Sequence, residues 1–459
     1  MRLRYSLIIG ALVLAIIGFT QIGFVYSQPA QTSQPSITLF ENVRVFNGTS
    51  EQLSVLSNVL VVDNKIHKIT TESIPTPSGA SVTRINANGR VLMPGLIDNH
   101  THLFMAITKI EDLLSPNTTP ETIFKSAQTA AKDMLLRGFT SARDMAGPVF
   151  ELKKLVDKGA IVGPRIYPSG AMISQTSGHG DYRSLKELPR SATTPLSRGE
   201  VFGVGVIADG VDEVLRRTRE QLMQGATQIK LAAGGGVASD YDPLDVSQYT
   251  EPEFRAAVEA ADNWNTYVTV HAYTPKAIQT AIRAGVKCIE HGQLMDDATA
   301  KIMAEKGIWL SMQPFLDDED AIPFPEGSPN RAKQLQMTKG TDNAYKLAKK
   351  YNLKTAWGTD TLFDAKLATR QGAQLAKLVR WYTPAEILKM ATRTNAELLA
   401  LSGPRNPYPG KLGVVEEGAL ADLLLVNGNP LENIKLIEDP DRNFQVIMKD
   451  GKIYKNTIS

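Results

Sequence analysis

Short apolar runs alternate with amphipathic segments through the long middle of the chain, from about residue 94 to residue 400. Eight of these runs have the length and composition of β-strands. They are residues 96–98, 139–145, 165–169, 228–233, 267–271, 287–290, 308–312 and 354–359. Strands that alternate with helices predict an α/β fold with a parallel sheet, and eight such units predict a (β/α)8 TIM barrel.

The amphipathic segments carry matching signals for helix starts and stops. The signals are Thr119-Pro120-Glu121 before a helix that Gly138 closes, Thr274-Pro275 before a helix that Gly285 closes, and capping boxes of Thr250 with Glu253 and of Thr383 with Glu386. Each signal falls between two predicted strands, as a barrel of alternating strands and helices requires.

The two ends of the chain carry a different pattern, of short β-runs separated by turn residues. The candidate strands are residues 37–40, 43–46, 59–62 and 65–69 near the N-terminus, and 422–426 and 446–454 near the C-terminus. We therefore predict a small β-sandwich domain built from both termini. Its two parts, residues 37–93 and 401–459, flank a barrel domain of residues 94–400.

Residues 1–27 have the layout of a secretory signal peptide, with a basic start, an unbroken run of apolar or small residues at 7–19 and the small residue Ser27 at the expected cleavage point. Residues 28–36 (QPAQTSQPS) are typical of a flexible linker. The alternative is an uncleaved anchor, because residues 7–26 are just long enough to span a bilayer. Both interpretations predict export, with the remaining chain secreted, periplasmic or anchored facing outward.

Composition narrows the class of protein further. Of the 459 residues, 42% are hydrophobic and 21% are charged, which excludes a disordered chain and a polytopic membrane protein. Arg2 and Arg4 account for the formal net charge of +2, so the remaining chain gives no electrostatic reason to expect a nucleic-acid partner. Cys288 is the single cysteine and is interpreted as a small core residue, so no internal disulfide is expected.

Four of the six histidines lie at the C-terminal ends of predicted barrel strands, where barrels of this type place their catalytic groups. A lysine in the fourth strand and an aspartate at the end of the eighth complete the set of His100, His102, Lys230, His271, His291 and Asp360. Each residue alone has an ordinary structural explanation, such as a core histidine or a helix N-cap. Together they predict a site for Zn²⁺ or a similar divalent ion.

These residues lie in motifs that resemble those of a known family. The motifs are residues 94–102 (PGLIDNHTH), 138–144 (GFTSARD), Lys230 before 234–236 (GGG), 271–273 (HAY), 289–292 (IEHG), 358–361 (GTDT), 391–396 (ATRTNA) and 413–421 (GVVEEGALA). In this order they are similar to the amidohydrolase superfamily, and within it to the imidazolonepropionase-like and metal-dependent dipeptidase group, which includes Xaa-Pro and Xaa-Arg dipeptidases. The resemblance covers nearly all of the chain that follows the linker.

The resemblance implies two divalent metal ions, expected to be Zn²⁺. His100, His102 and Asp360 would hold one ion, and His271 and His291 the other. Lys230 would carry a carbamate (N6-carboxylysine) that bridges the two ions. The metal pair would make hydroxide available at neutral pH, and Asp360 would act as general base and then as general acid towards the leaving amine.

Three further residues are candidates for contacting the substrate. His179 lies in a glycine-rich loop after the third strand and would donate a hydrogen bond to the substrate carbonyl or carboxylate, since the resembled dipeptidases place a histidine there. Tyr241, after the glycine run of the fourth strand, is a weaker candidate for the same pocket. Arg143 could bind a substrate carboxylate, although pairing with Asp144 or another neighbour inside the barrel is the stronger interpretation.

The leading functional hypothesis is an exported binuclear hydrolase of amide bonds that acts on a dipeptide or an N-acyl amino acid. A cyclic-amide hydrolase with one metal is a second hypothesis, and Lys230 argues against it because such relatives lack the bridging lysine. A carbamate or phosphotriester hydrolase and a non-catalytic binding protein are also compatible with the fold. Loops 172–204 and 313–340 are expected to determine specificity, and homo-oligomer formation is left open.

Overall fold

The computed structural model of the protein describes residues 35–76, 81–191 and 193–458, with the side chain of Leu114 left aside. From Ser36 onward the chain forms one compact unit. The predicted signal peptide and all but the last two residues of the predicted linker lie outside the described residues. Across the described ranges, every helix is too short or too polar to cross a membrane.

Ten parallel strands occupy the middle of the chain, and all eight predicted strands are among them. They are β6 (Leu96–Thr101), β7 (Phe139–Asp144), β8 (Arg165–Pro168), β9 (Met172–Ser174), β10 (Gly205–Ile207), β11 (Ile229–Ala232), β12 (Val268–Ala272), β13 (Cys288–His291), β14 (Trp309–Met312) and β15 (Lys354–Trp357). The two strands that sequence patterning did not predict, β9 and β10, are only three residues long. Both lie in the long connecting segment between the third and fourth predicted strands.

The ten strands form two parallel sheets instead of one closed ladder. One sheet has the order β10-β9-β11-β12-β13-β14-β15 and the other the order β6-β7-β8. Single backbone hydrogen bonds link the two sheets at both of their junctions. The Asp360 N–H after β15 donates to His100 O of β6 at 2.8 Å, and the Thr227 N–H before β11 donates to Pro168 O of β8 at 2.8 Å. The α/β class with parallel strands is therefore confirmed.

Helices connect the strands, and those with predicted signals begin and end where the signals lie. The helices are α1 (Ile110–Leu114), α2 (Pro120–Leu136), α3 (Phe150–Asp157), α4 (Arg198–Val201), α5 (Val211–Gln224), α6 (Glu251–Asn263), α7 (Pro275–Ala284), α8 (Asp297–Glu305), α9 (Pro329–Thr338), α10 (Thr341–Lys350), α11 (Ala365–Thr369), α12 (Gln371–Ala376), α13 (Pro384–Lys389), α14 (Asn395–Leu399) and α15 (Pro440–Asn443). The Thr383 side chain accepts from the Glu386 N–H and completes the predicted capping box of α13. Gly285 ends α7 with a φ of +105°, which glycine adopts without a Cβ penalty.

The two ends of the described chain meet in an eight-stranded sheet. Its strands are β1 (Ile37–Val45), β2 (Ser57–Val62), β3 (Lys65–Thr70), β4 (Val82–Asn86), β5 (Val91–Pro94), β16 (Leu423–Val426), β17 (Phe444–Lys449) and β18 (Lys452–Asn456). Because β5 pairs with both β1 and β16, strands near the two termini belong to one continuous sheet, and the sandwich form of this small domain stays a prediction. The sheet bends around its own core, to which Phe40 of β1 and Val446 of β17 both contribute.

Candidate metal centre

The six predicted ligands line one pocket, because each lies in or directly after a parallel strand. They are His100 at the end of β6, His102 just after it, Lys230 in β11, His271 in β12, His291 in β13 and Asp360 after β15. Parallel strands bring their carboxyl ends to the same edge of a sheet, which explains how residues 260 positions apart come together. The rings of His100 and His291 are 4.9 Å apart, and those of His271 and His291 are 4.5 Å apart.

His100, His102 and Asp360 fit a metal ion on their own. The potential ligand atoms of the three side chains all lie within 4.8 Å of one another. Asp360 Oδ1 is 3.2 Å from His102 Nε2 and 3.6 Å from His100 Nε2. The same oxygen is buried and accepts no hydrogen bond from the described residues. A buried carboxylate oxygen left without a donor is costly, and a divalent cation at this position would satisfy it.

In each imidazole one nitrogen is held by the protein. In His271 this nitrogen is Nε2, which lies 3.2 Å from the Gly235 carbonyl oxygen, and in the other three rings it is Nδ1. His100 Nδ1–H donates to Glu290 Oε2 at 2.8 Å, and His291 Nδ1 lies 2.7 Å from Gln313 Oε1. His102 Nδ1 contacts the Ala146 carbonyl more loosely, at 3.4 Å. In all three rings Nε2 is the nitrogen left to face the pocket. Metal-binding histidines are typically oriented by such a bond at the distant nitrogen.

Burial favours the neutral form of the His100, His271 and His291 imidazoles, as metal ligation requires. Desolvation lowers the pKa of His100 to about 4 and holds the pKa of His271 and of His291 well below the usual range. Burial alone would raise the pKa of Asp360, but the neighbouring imidazoles, His100 foremost, hold it well below its usual range. The resulting set of neutral imidazoles and one carboxylate is the donor chemistry of zinc sites.

Lys230 has the environment that carbamate formation needs. Its side chain is almost completely buried in β11 and lines the pocket. Desolvation lowers the pKa of its amine to about 8, so the neutral form that can react with CO₂ is accessible near neutral pH. Among the described residues, no side chain forms an ion pair or a hydrogen bond with this amine. The amine is therefore not committed to another structural role.

His179 also lines the pocket, stacked on His271 with ring centroids 4.0 Å apart. Its Nδ1 lies 2.8 Å from Ser239 Oγ and 3.8 Å from the buried carboxylate of Asp242. Gly236 allows this packing, because a Cβ at that position would lie 1.8 Å from His179 Nδ1. The approach of the His179 ring thus explains Gly236, the last glycine of the run after β11.

The structure argues against the substrate-binding role predicted for Arg143. Its guanidinium is completely buried beneath the pocket and does not line it. It donates to Glu290 Oε1 at 2.7 Å, to Tyr267 Oη at 3.0 Å and to Ser311 Oγ at 3.1 Å. The partner inside the barrel is thus Glu290, whereas Asp144 accepts from the backbone of another segment. A charged residue in an apolar strand must find such a partner when it is buried.

Tyr241 is also absent from the pocket lining, so its predicted contact with substrate is not supported. It is half-buried, and its backbone carbonyl accepts a hydrogen bond from Ser177 Oγ at 3.0 Å. Tyr182 and Tyr273 line the pocket in its place. Tyr273 follows His271 by two positions, and this spacing puts both side chains on one side of an extended segment. The spacing was therefore a signal in the sequence that Tyr273 would line the pocket.

Comparisons with known proteins agree with this site. The amidohydrolase family matches residues 91–455. An ochratoxinase from Aspergillus niger is 33% identical over 434 residues, which cover 93% of this chain and 88% of that protein. A solved prolidase in complex with N-methylphosphonate-L-proline superposes with a TM-score of 0.83 at 31% identity, over 92% of this chain and 100% of the prolidase.

A solved Xaa-Pro dipeptidase with bound methionine in its active site is 28% identical, with a TM-score of 0.77 over 92% of this chain and 100% of that one. The family match covers well over half of the chain, and the site retains the ligand set that the motifs predict. The chain therefore belongs to the amidohydrolase family, in its dipeptidase-like part, and is a hydrolase of carbon–nitrogen amide bonds.

Proposed function

We propose that this protein is an exported, binuclear metal-dependent hydrolase that cleaves the amide bond of a dipeptide or an N-acyl amino acid. The observation that carries the proposal is the convergence of His100, His102 and Asp360 within 4.8 Å, with a buried oxygen of Asp360 left without a donor. The similarity to an ochratoxinase, a prolidase and an Xaa-Pro dipeptidase supports the amide bond as the target.

In this proposal His100, His102 and Asp360 hold one divalent ion, expected to be Zn²⁺, and His271 and His291 hold the second. The buried Lys230, if its neutral amine adds CO₂ and loses a proton, would become N6-carboxylysine and would supply a carboxylate ligand to this centre. Bound metal ions of this kind polarise the substrate carbonyl and lower the pKa of water. We also propose that the two parallel sheets close as the predicted (β/α)8 barrel, supported by the hydrogen bonds at their two junctions.

The residues of the chain carry the remaining steps. Asp360 accepts the proton of the attacking water and passes it to the nitrogen of the leaving amine. His179, held by Ser239 on the side away from the pocket, presents Nε2 towards the substrate and orients its carbonyl. Tyr182 and Tyr273 form part of the surrounding wall and exclude bulk water. Export remains a proposal that rests on the pattern of residues 1–27.

The test uses the chain from residue 28 onward, loaded with Zn²⁺ in the presence of bicarbonate. We expect amine release from at least one dipeptide or N-acyl amino acid, two bound ions by elemental analysis, and loss of both properties in Lys230→Ala. Lys301→Ala, at a mostly exposed lysine of α8, is the matched control and should behave as wild type. Tight binding of two ions without cleavage of any amide would contradict the proposed reaction.

A further inference from the structure

One wall of the pocket is formed by segments that carry none of the proposed metal ligands other than Asp360. These segments are the loop after β14, helix α9 and the loop after β15. Their apolar side chains that line the pocket include Phe315, Leu316, Ile322, Met337, Leu362 and Phe363. Met337 and Leu362 are buried and the other four are half-buried. The wall thus presents aliphatic and aromatic surface to the pocket beside the reacting centre.

The neutral polar side chains of this wall are committed to the protein itself. Gln334 Nε2 donates to the Ile322 carbonyl at 2.9 Å, which ties helix α9 to the loop after β14. Gln374 Nε2 donates to Thr361 Oγ1 at 3.2 Å. A substrate group that needs a hydrogen bond would have to break one of these contacts, which carries the full cost of unsatisfied buried groups.

The charged side chains of the wall neutralise one another. Lys377 Nζ lies 2.7 Å from Asp318 Oδ2 and 2.6 Å from Asp320 Oδ2, and Arg370 pairs with Asp320 as well. Asp320 is only 3% exposed and Lys377 only 15% exposed, so these pairs are well shielded from water. The cluster fixes the loop after β14 to the segment that follows β15. Apart from the proposed metal ligand Asp360, these ion pairs neutralise the charged side chains of the described residues that line this wall.

The apolar wall reaches the metal centre and is rigid where it does so. The Phe315 ring stacks on the His291 ring, with centroids 6.2 Å apart and an angle of 24° between the planes. Phe363 has a φ of +63°, a conformation that is unfavourable for a bulky residue, and its N–H donates to the Met105 carbonyl at 2.9 Å. Strained residues of this kind persist where the surroundings hold them in place, often at ligand-binding sites.

We infer that the pocket recognises its amide substrate through a large, uncharged, apolar side group that packs on the wall formed by Phe315, Leu316, Ile322, Met337, Leu362 and Phe363. The inference rests on the proposed function, because the wall borders the reacting centre of that site. It assigns specificity to the second of the two loops that were expected to determine it, residues 313–340. Small or charged side groups at this position lose the packing or meet an apolar surface without partners.

The experiment measures kcat/KM of the Zn²⁺-loaded protein for two dipeptide series, Xaa-Ala and Ala-Xaa, in which Xaa is Phe, Leu, Ala, Asp or Lys. In one of the series we expect Phe and Leu to exceed Ala, Asp and Lys by at least about 10-fold, the scale of discrimination by an apolar pocket. Cleavage of Ala, Asp or Lys peptides as fast as Phe peptides in both series would overturn this inference alone. No cleavage in either series would also overturn this inference. Only a further lack of cleavage across the wider panel of dipeptides and N-acyl amino acids would overturn the proposed reaction.

Two variants of Ile322 test whether a preference for large apolar side groups depends on the wall. We expect Ile322→Asp to lower the ratio of kcat/KM for the Phe peptide to that for the Ala peptide by about 10-fold. Ile322→Ala, which adds no charge, should lower the same ratio in the same direction and serves if the first variant fails to fold. Val55→Asp, at a residue 68% exposed and remote from the pocket, is the matched control and should leave the ratio unchanged. An unchanged ratio in both Ile322 variants would refute the assignment.

Discussion

The carboxylate of Glu290 joins the metal centre to a buried positive charge, so its removal is an informative perturbation. Oε2 accepts from His100 Nδ1 at 2.8 Å and Oε1 from Arg143 Nη2 at 2.7 Å, with Thr269 as a further donor. Glu290 and Arg143 are completely buried and His100 almost so. Burial alone would raise the pKa of Glu290, but Arg143 holds it well below its usual range. Both members of the pair are therefore expected to be ionised near neutral pH.

Glu290→Gln keeps the size of the side chain and removes its charge. Breaking a buried ion pair by neutralising one partner typically costs 3–5 kcal/mol. Arg143 keeps its hydrogen bonds to Tyr267, Ser311 and the Asn99 carbonyl, so we expect the lower end, a loss of about 3 kcal/mol in the free energy of unfolding. His100 loses a charged acceptor, and changes at such a position typically weaken metal binding by about 10- to 100-fold.

Urea unfolding of the metal-free protein measures the first effect, and competition with a chelator for Zn²⁺ measures the second. The double variant Arg143→Met/Glu290→Gln separates them, because replacing both members of a buried pair is often nearly neutral for stability. We expect it to recover most of the lost free energy and none of the lost affinity for Zn²⁺. Wild-type affinity in Glu290→Gln would refute the positioning role and leave Glu290 as a purely structural partner of Arg143.

Three further perturbations test other contacts. Arg165→Met should cost about 3 kcal/mol in urea unfolding, because it leaves the buried carboxylate of Asp422 without its partner at 2.8 Å. Gly236→Ala should reduce kcat/KM at least about 10-fold, since its Cβ would displace the His179 ring. Asp342→Asn should cost at most about 1 kcal/mol, as the ion pair is exposed. That loss should be constant above about pH 4 and shrink between about pH 4 and pH 2.

The sign of the pH effect on stability follows from the hydrogen bonds that the ionised Asp342 carboxylate accepts. The Arg380 side chain, with the Trp381 indole, lowers the pKa of Asp342 from 3.8 to about 2. A depressed pKa in the folded state stabilises the protein above the unfolded-state pKa, and the gain is lost as the pH falls through the folded-state value. A difference between wild type and Asp342→Asn that grew on acidification would contradict this account.

The predictions for Arg165→Met and Gly236→Ala each have a matched control variant. Arg216→Met removes an arginine whose ion pair is exposed on α5, and it should change the free energy of unfolding by less than about 0.5 kcal/mol. Gly199→Ala places a Cβ 3.7 Å from its nearest neighbour and should leave kcat/KM unchanged. Equal effects at the test and control positions would show that the contacts with Asp422 and His179 are not the cause.

The strands and helices of the middle region could be predicted because their signals are local. An apolar run with a glycine at its end, or a threonine three residues before a glutamate, specifies an element with no knowledge of its neighbours. The strands β9 and β10 were missed for the same reason, since three residues give too little periodicity to detect. The continuity of the end sheet was missed because it depends on pairing between β5 and β16, more than 300 positions apart.

The convergence of the proposed metal ligands on one pocket could be predicted because their positions at strand ends carry information, whereas the groups that support them could not. Glu290 directly precedes a predicted ligand, and Arg143 lies in another apolar strand, 147 positions away. Two opposite charges within apolar strands predict that each has a buried partner. The sequence does not determine which residues form ion pairs. Asp144, which is adjacent to Arg143 along the chain, is the more obvious candidate partner. The fold decides the matter by bringing the Glu290 carboxylate of β13 within 2.7 Å of the Arg143 guanidinium of β7.

The loop after β14 shows why the substrate side of the pocket is the hardest part to derive. Residues 317–320 (DDED) have the pattern of a solvated charge run, which would place the neighbouring apolar residues in an ordinary surface loop. In the structure Lys377 and Arg370, 50 or more positions away, pair with Asp318 and Asp320 and fix the loop at the pocket. Only with those charges neutralised can Phe315 and Ile322, on either side of the run, face the substrate as an apolar wall. The specificity that we infer would therefore depend on an electrostatic contact that does not touch the substrate.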